Sequence, residues 1–237
     1  MSNSQCFALY LYDDLGEDGQ SDLLGGIGRR SNISSNAMAA FRGTYQDKKI
    51  SDEDVFFYVY GILHSPEYRT RFSSDLGKAL PRIPFAGDFW AFSKAGRSLS
   101  ELHSNYELAK PFPAKESRDE LSLDESKLYQ VEKMRFGKVG KEEDKTKIQY
   151  NSHITLTGIP LESYDYVVNG RSAIEWIMER YQQTRDKDSG IINNPNDWAK
   201  EHDDPKYILN LLKRVITVSL ETMKIVNALP PLNEKNT

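Results

Sequence analysis

The sequence predicts an α+β fold: a helical N-terminal part, followed by a small antiparallel sheet packed against long helices. Three observations carry that prediction. Between residues 51 and 106, apolar and aromatic side chains recur at three- and four-residue spacing, the period of a helix with one buried face. Around 147–157 they alternate instead. Ile148, Tyr150, Ile154 and Leu156 point one way and Lys147, Gln149, His153, Thr155 and Thr157 the other, as in a strand with one solvated face. Near the end, Ile208, Leu211, Leu212, Val215, Ile216, Met223 and Val226 give a last helix a broad apolar face.

Taken in order, residues 6–12 (CFALYLY) read as a short strand, and 13–36, rich in Gly, Asp and Ser, as a long loop. Gly25-Gly26-Ile27-Gly28 in that loop lacks the strand, helix and downstream acid of a dinucleotide fingerprint, so no cofactor is expected there. Residues 37–45 form a short helix ending near Gly43. Ser51 and Asp54 make a capping box ahead of Val55, Tyr58, Val59, Ile62 and Leu63. Phe56, Phe57 and Tyr60 fill the other faces of that helix, which predicts enclosure on more than one side. Ser65 caps the next helix, with Pro66 at its first position where the missing N–H costs nothing. Tyr68, Phe72, Leu76 and Leu80 line it, and Pro81 and Pro84 stop it. Phe89, Trp90, Phe92, Ala95, Leu99 and Leu102 mark another amphipathic helix to about Tyr106.

Prolines and alternating charges then make 111–126 a linker between a mostly helical part with an N-terminal strand (1–110) and a part holding an antiparallel hairpin plus two helices (127–237). In the second part 127–136 reads as a strand and 137–146 (GKVGKEEDKT) as an exposed hairpin connection. Asn169-Gly170 is a turn, and Ser172 with Glu175 is a capping box for a helix through Tyr181. Asp204-Pro205 begins the last helix.

At 237 residues the chain can bury a sizeable core. A single cysteine, Cys6, excludes a disulfide framework and fits a reducing cytoplasm. No apolar run of membrane length and no secretory signal stand out. The abrupt opening at a strand and the polar tail suggest an excised domain or the tail of a longer protein. A net charge of −4 counts against a self-sufficient nucleic-acid binder, though less against a domain whose neighbours carry phosphate contacts.

No catalytic constellation emerges. Asn194-Pro195-Asn196-Asp197 is the nearest phrase to the Asx-Pro-Pro-aromatic loop of amino-methyltransferases, but it lacks the second proline and the aromatic, and reads as a turn. Glu125-Ser126-Lys127 matches half of a metal-dependent nuclease site. No upstream carboxylate is suitably placed, and Asp119, Glu120, Asp124 and Glu125 read as a solvated charge run. His64, His103, His153 and His202 have no zinc-ligand spacing. Ser65 reads as a cap, and Ser172 lacks the glycine that follows a nucleophile elbow. The expected catalytic and metal residues are therefore none.

Several phrases, in fixed order, resemble one family. They are YVYGILHSPEYRTRF, LPRIPF and DFW from residue 58 onward, then GRSLSELHSNYE, LTGIP (156–160), YVVNGRSAIEWIMERYQ (166–182), DKDSGIINNPNDW (186–198) and YILNLLKRVITVSLETMKIV (207–226). Together they are similar to the C-terminal specificity, or target recognition, region of Type ISP single-polypeptide restriction–modification enzymes. The resemblance spans roughly residues 50–230. It implies a non-catalytic domain of a longer chain that recognises double-stranded DNA, alongside methyltransferase and translocase domains lying outside this sequence. The competing reading is a structural coupling module that binds those domains without reading sequence.

Residues suited to DNA contact fall into three groups. Arg69, Arg71, Lys78 and Arg82 lie on one helix and its exit. Lys138, Lys141, Lys145 and Lys147 lie on the hairpin and its edge. Asn169 and Arg171 sit on a strand-to-helix loop, where an amide and a guanidinium can reach base edges.

Overall fold

The computed structural model describes residues 6–12, 29–76, 80–118 and 124–235. The Gly25-Gly26-Ile27-Gly28 turn, Lys78, Asp119 and Glu120 lie outside the described residues. Helices and small antiparallel sheets make up the fold, as the α+β prediction requires. The chain divides into two compact units, Met1–Glu101 with Ala228–Thr237, and Leu102–Asn227. The C-terminal tail thus belongs with the first unit.

The first unit opens with β1 (Tyr10–Tyr12) paired antiparallel to β2 (Arg29–Ser31). Helix α1 (Ser35–Tyr45) is capped by Ser34, whose hydroxyl accepts from the Ala37 amide, and ends on Gln46 in the left-handed region. Helix α2 (Asp52–His64) starts at the capping box expected from the sequence: the Ser51 hydroxyl accepts from the Asp54 amide and the Asp54 carboxylate from the Ser51 amide. The helix expected from Ser65 to Leu80 begins with Pro66 as predicted but divides into α3 (Pro66–Arg71) and α4 (Ser73–Leu76). Tyr68 is buried and its hydroxyl donates to the Arg82 carbonyl at 2.9 Å, which draws the returning chain close and leaves Leu80 exposed.

Helix α5 (Phe89–Ser104) packs against α2 at unusually short range. A Cβ on Gly61 would stand 2.3 Å from the Phe92 carbonyl oxygen, and one on Gly96 would stand 1.8 Å from that of Phe57. The two glycines permit the crossing because they carry no side chain. Below it, Tyr58 is fully buried, and its hydroxyl donates to the Pro84 carbonyl at 2.6 Å and accepts from the Ala86 amide at 2.7 Å. Phe41, Phe85, Phe89 and Phe92 surround these groups. The tail closes this core. Leu232 is buried in it, and the backbone of Leu232 and Lys235 bonds to Gly87 and Phe85.

The second unit is built on a four-stranded antiparallel sheet in the order β3-β6-β5-β4. Its strands are β3 (Lys115–Arg118), β4 (Arg135–Val139), β5 (Glu142–Gln149) and β6 (Ile154–Thr157), with a one-turn helix, α6 (Glu125–Leu128), between β3 and β4. Ile148 faces Leu156 across the β5–β6 ladder, and Ile148, Tyr150, Ile154 and Leu156 are all fully buried, as their alternation predicts. Ile148 lies in β5, Ile154 and Leu156 in β6, and Tyr150 just beyond the end of β5. Asn151 turns the chain, its side-chain oxygen accepting from the His153 and Ile154 amides while its nitrogen donates to the Leu128 and Gln130 carbonyls.

Two expectations change here. Lys115–Arg118, placed in a linker by composition, is a strand, pinned by Glu116, which takes hydrogen bonds from Lys213 and Arg118. The stretch 127–136 is not a strand before Arg135. Val131 is fully buried, but its amide donates to the side-chain oxygen of Asn196 and its carbonyl accepts from the same side chain. One asparagine replaces a ladder partner, so the segment buries apolar groups without joining the sheet.

A short hairpin, β7 (Val167–Val168) and β8 (Arg171–Ser172), leads into α7 (Ala173–Arg180) through the predicted Ser172–Glu175 capping box. A second hairpin, β9 (Thr184–Arg185) with β10 (Ile192–Asn193), precedes α8 (Asn196–Glu201). Helix α9 (Tyr207–Asn227) starts two residues beyond Pro205 and buries Ile208, Leu211, Leu212, Val215, Ile216 and Val226 as expected, with Met223 half-buried.

Candidate nucleic-acid interface

The β4–β5 hairpin is more extended than its composition suggests. Val139 pairs with Glu142, so most of 137–146 is ladder and only Gly140 and Lys141 connect the strands. Gly140 takes a φ of 64°, which its missing Cβ makes easy. The four lysines separate into two pairs. Lys138 and Lys141 are exposed at the tip, with no ion pair among the described residues. Lys145 instead reaches Glu175 at 3.0 Å and lies over the rings of Phe136 and Tyr164, and Lys147 pairs with Asp144 at 2.9 Å. Burial works against the Glu175 charge, yet the Ser172 amide and the Lys145 ammonium outweigh it and hold the carboxyl below its ordinary range.

The second group lies on β7–β8. Asn169 and Gly170 form a two-residue connection with φ of 50° and 81°, the left-handed pair that Asn-Gly adopts in tight hairpins. The indole N–H of Trp176 donates to the Val168 carbonyl at 2.7 Å and ties the hairpin to α7. Arg171 lies against Trp176 and pairs with Glu179. Arg180 packs on the same indole, 5.4 Å from its centroid, and forms no ion pair among the described residues. Sequence reasoning passed over Arg180, although its spacing of four from Trp176 on a capped helix is the available signal.

A cleft of about 460 Å³ lies between the foot of β4 and the β7–β8 turn, lined among others by Lys133, Phe136, Gly170, Arg171, Glu175 and Gln182. Lys133, exposed and outside the sequence-based candidates, is a further cation there. The structure therefore brings the foot of the hairpin and the Asn169–Arg171 loop together around one cleft.

The remaining group belongs to the first unit. Arg71 is paired with Glu234 at 2.7 Å, not with the nearer-in-sequence Glu67 or Asp75; Glu67 accepts from the Leu232 amide. Arg69 and Arg82 are exposed.

The Ser172 hydroxyl donates to Glu175, Asn194 and Asn196 hydrogen-bond each other within their turn, and Glu125 pairs with Lys206. Among the described residues no group of three or more His, Cys, Asp or Glu is placed to hold a metal ion. No helix among them is long and apolar enough to cross a membrane.

A family model for the Type ISP C-terminal specificity domain matches residues 1–211. The chain belongs to this family. Three solved structures resemble this specificity domain closely. The ATP-dependent Type ISP restriction–modification enzyme LlaBIII, bound to DNA, is 37% identical with a TM-score of 0.76, over 95% of this chain and 13% of that one. A nuclease-deletion mutant of the Type ISP enzyme LlaGI, in complex with a DNA substrate mimic, is 42% identical with a TM-score of 0.70, over 88% and 17%. A DrdV–DNA complex is 33% identical with a TM-score of 0.73, over 88% and 21%. The chain thus spans between 13% and 21% of the length of these relatives. No curated protein sequence matches it.

Proposed function

We propose that this domain recognises a specific sequence in double-stranded DNA as the specificity part of a longer restriction–modification enzyme, and contributes no catalytic group of its own. The observation that carries this reading is the likeness over most of the chain, at 33% to 42% identity, to enzymes whose structures contain DNA or a DNA mimic. The site supports it chemically. Exposed cations without an ion pair among the described residues, Lys138, Lys141, Lys133 and Arg180, suit phosphate oxygens; the Asn169 amide, and the Arg171 guanidinium once it leaves Glu179, offer groups that can reach base edges. Arg69 and Arg82 extend the set of candidate phosphate contacts to the first unit. A methyltransferase and a translocase in the same parent chain are the partners this reading implies, with the methyltransferase holding any flipped base.

The test is selection from a pool of randomised duplexes on the immobilised chain, followed by sequencing of what is retained. A single enriched motif is the expected result. Retention without enrichment at any position would refute sequence recognition and favour a coupling module that touches DNA only through its phosphates.

A further inference from the structure

The β7–β8 connection has more features than a surface turn needs. The Trp176 indole on the Val168 carbonyl and the Ser172–Glu175 capping box tie both of its ends to α7. Val167 and Val168 nevertheless leave over a third of their surfaces open, at 37% and 39%. Between these valines and Arg171, the Asn169 amide makes no hydrogen bond among the described residues, and its φ of 50° keeps it at the crest of the turn. Arg180 stands beside the same indole with no ion pair among the described residues, whereas Arg171 is paired with Glu179. Anchored ends, an amide without a hydrogen bond among the described residues, exposed methyl groups and a flanking cation occur together here.

Resting on the DNA-recognition reading, we infer that the β7–β8 turn is a specificity-determining element that reads an A·T base pair in the major groove through the Asn169 amide. Adenine presents an N7 acceptor and an N6 donor there, which the nitrogen and oxygen of one carboxamide satisfy together. The thymine C5 methyl offers the apolar contact that one of the two valines, whichever faces the groove, can make. Arg180 is the adjoining phosphate anchor. It fixes the register of the turn and carries no base preference.

Two arms test this on the full chain, using the duplex that the wild type selects from a randomised pool. In the first, 7-deazaadenine, which lacks the N7 acceptor, replaces adenine at each A·T pair in turn. Wild-type binding is expected to weaken by about tenfold at one pair, the scale of a lost bidentate contact. In the second, Asn169→Gly, which keeps the left-handed backbone, is expected to abolish the preference for A·T at that pair. Arg180→Ala is expected to weaken all duplexes alike without moving any preference. Unchanged affinity at every substituted adenine, or a base preference in Asn169→Gly identical to wild type, would overturn the inference while leaving DNA recognition standing. A wild-type chain that binds duplex but selects no sequence would end both.

Discussion

Lys145 and Lys147 stand on the same strand, two residues apart, close to Lys138 and Lys141, yet the four differ in what they can give to DNA. An ammonium already held by a carboxylate must lose that partner before it meets a phosphate, whereas a free one releases only water and counterions. Glu175 holds Lys145 and Asp144 holds Lys147. Each phosphate contact contributes about one to the slope of log affinity against log salt. Replacing Lys138 and Lys141 by alanine is therefore expected to lower that slope by about two, for specific and unspecific duplex alike. The Lys145→Ala, Lys147→Ala pair should leave it nearly unchanged. Equal losses from the two double variants, measured by titration across salt concentrations, would contradict the distinction drawn from their ion pairs. The sequence shows four equivalent lysines on a hairpin, because the partner of Lys145 lies thirty positions away, on a helix whose placement only the folded sheet decides.

At the scale of elements, the α2–α5 crossing brings two helix backbones into direct contact. Its two glycines allow one backbone to rest directly on the other. Gly96→Ala would push a methyl group into the Phe57 carbonyl, and neither backbone can yield without moving the helix and the aromatic core beneath it. The expected cost is about 1–3 kcal/mol or more, the range for overpacking a well-filled site, read as a fall in the denaturation midpoint. An unchanged midpoint would contradict the close crossing. Elements governed by near neighbours were legible in advance. The Ser51–Asp54 and Ser172–Glu175 boxes and the Asn169-Gly170 turn are specified by residues one to three positions apart, and each appears as read. The segment around Val131 was not legible. Its apolar residues suggest a strand, but the side chain that satisfies its backbone, Asn196, comes from a turn sixty-five residues later. The same distance explains why Asn196, noticed only as part of a weak motif, turns out to be a buried structural pin.

For the whole molecule, the useful division is between two units that carry candidate cations for different reasons. The first has a dense aromatic core closed by the chain's own tail, and its Arg71 is engaged with Glu234 in that tail. The second presents the hairpin and the β7–β8 turn around one cleft, with Lys138, Lys141 and Arg180 free of ion pairs among the described residues. The candidate site was half visible from sequence. Charge clustering pointed to the hairpin and the turn, but the cleft between the foot of β4 and the turn, and the place of Lys133 in it, depend on the folded arrangement of the second unit. Family membership supplies the larger setting, a domain spanning a small part of enzymes whose structures hold DNA. The central claim is that this domain chooses the DNA sequence on which the rest of such an enzyme acts. Its most direct test is to graft the domain into a related Type ISP enzyme in place of that enzyme's own specificity domain and to sequence the sites the chimera modifies. The account predicts a new modified sequence, the one the isolated domain selects from randomised duplexes. A chimera that stays active on the host's original sequence would contradict it.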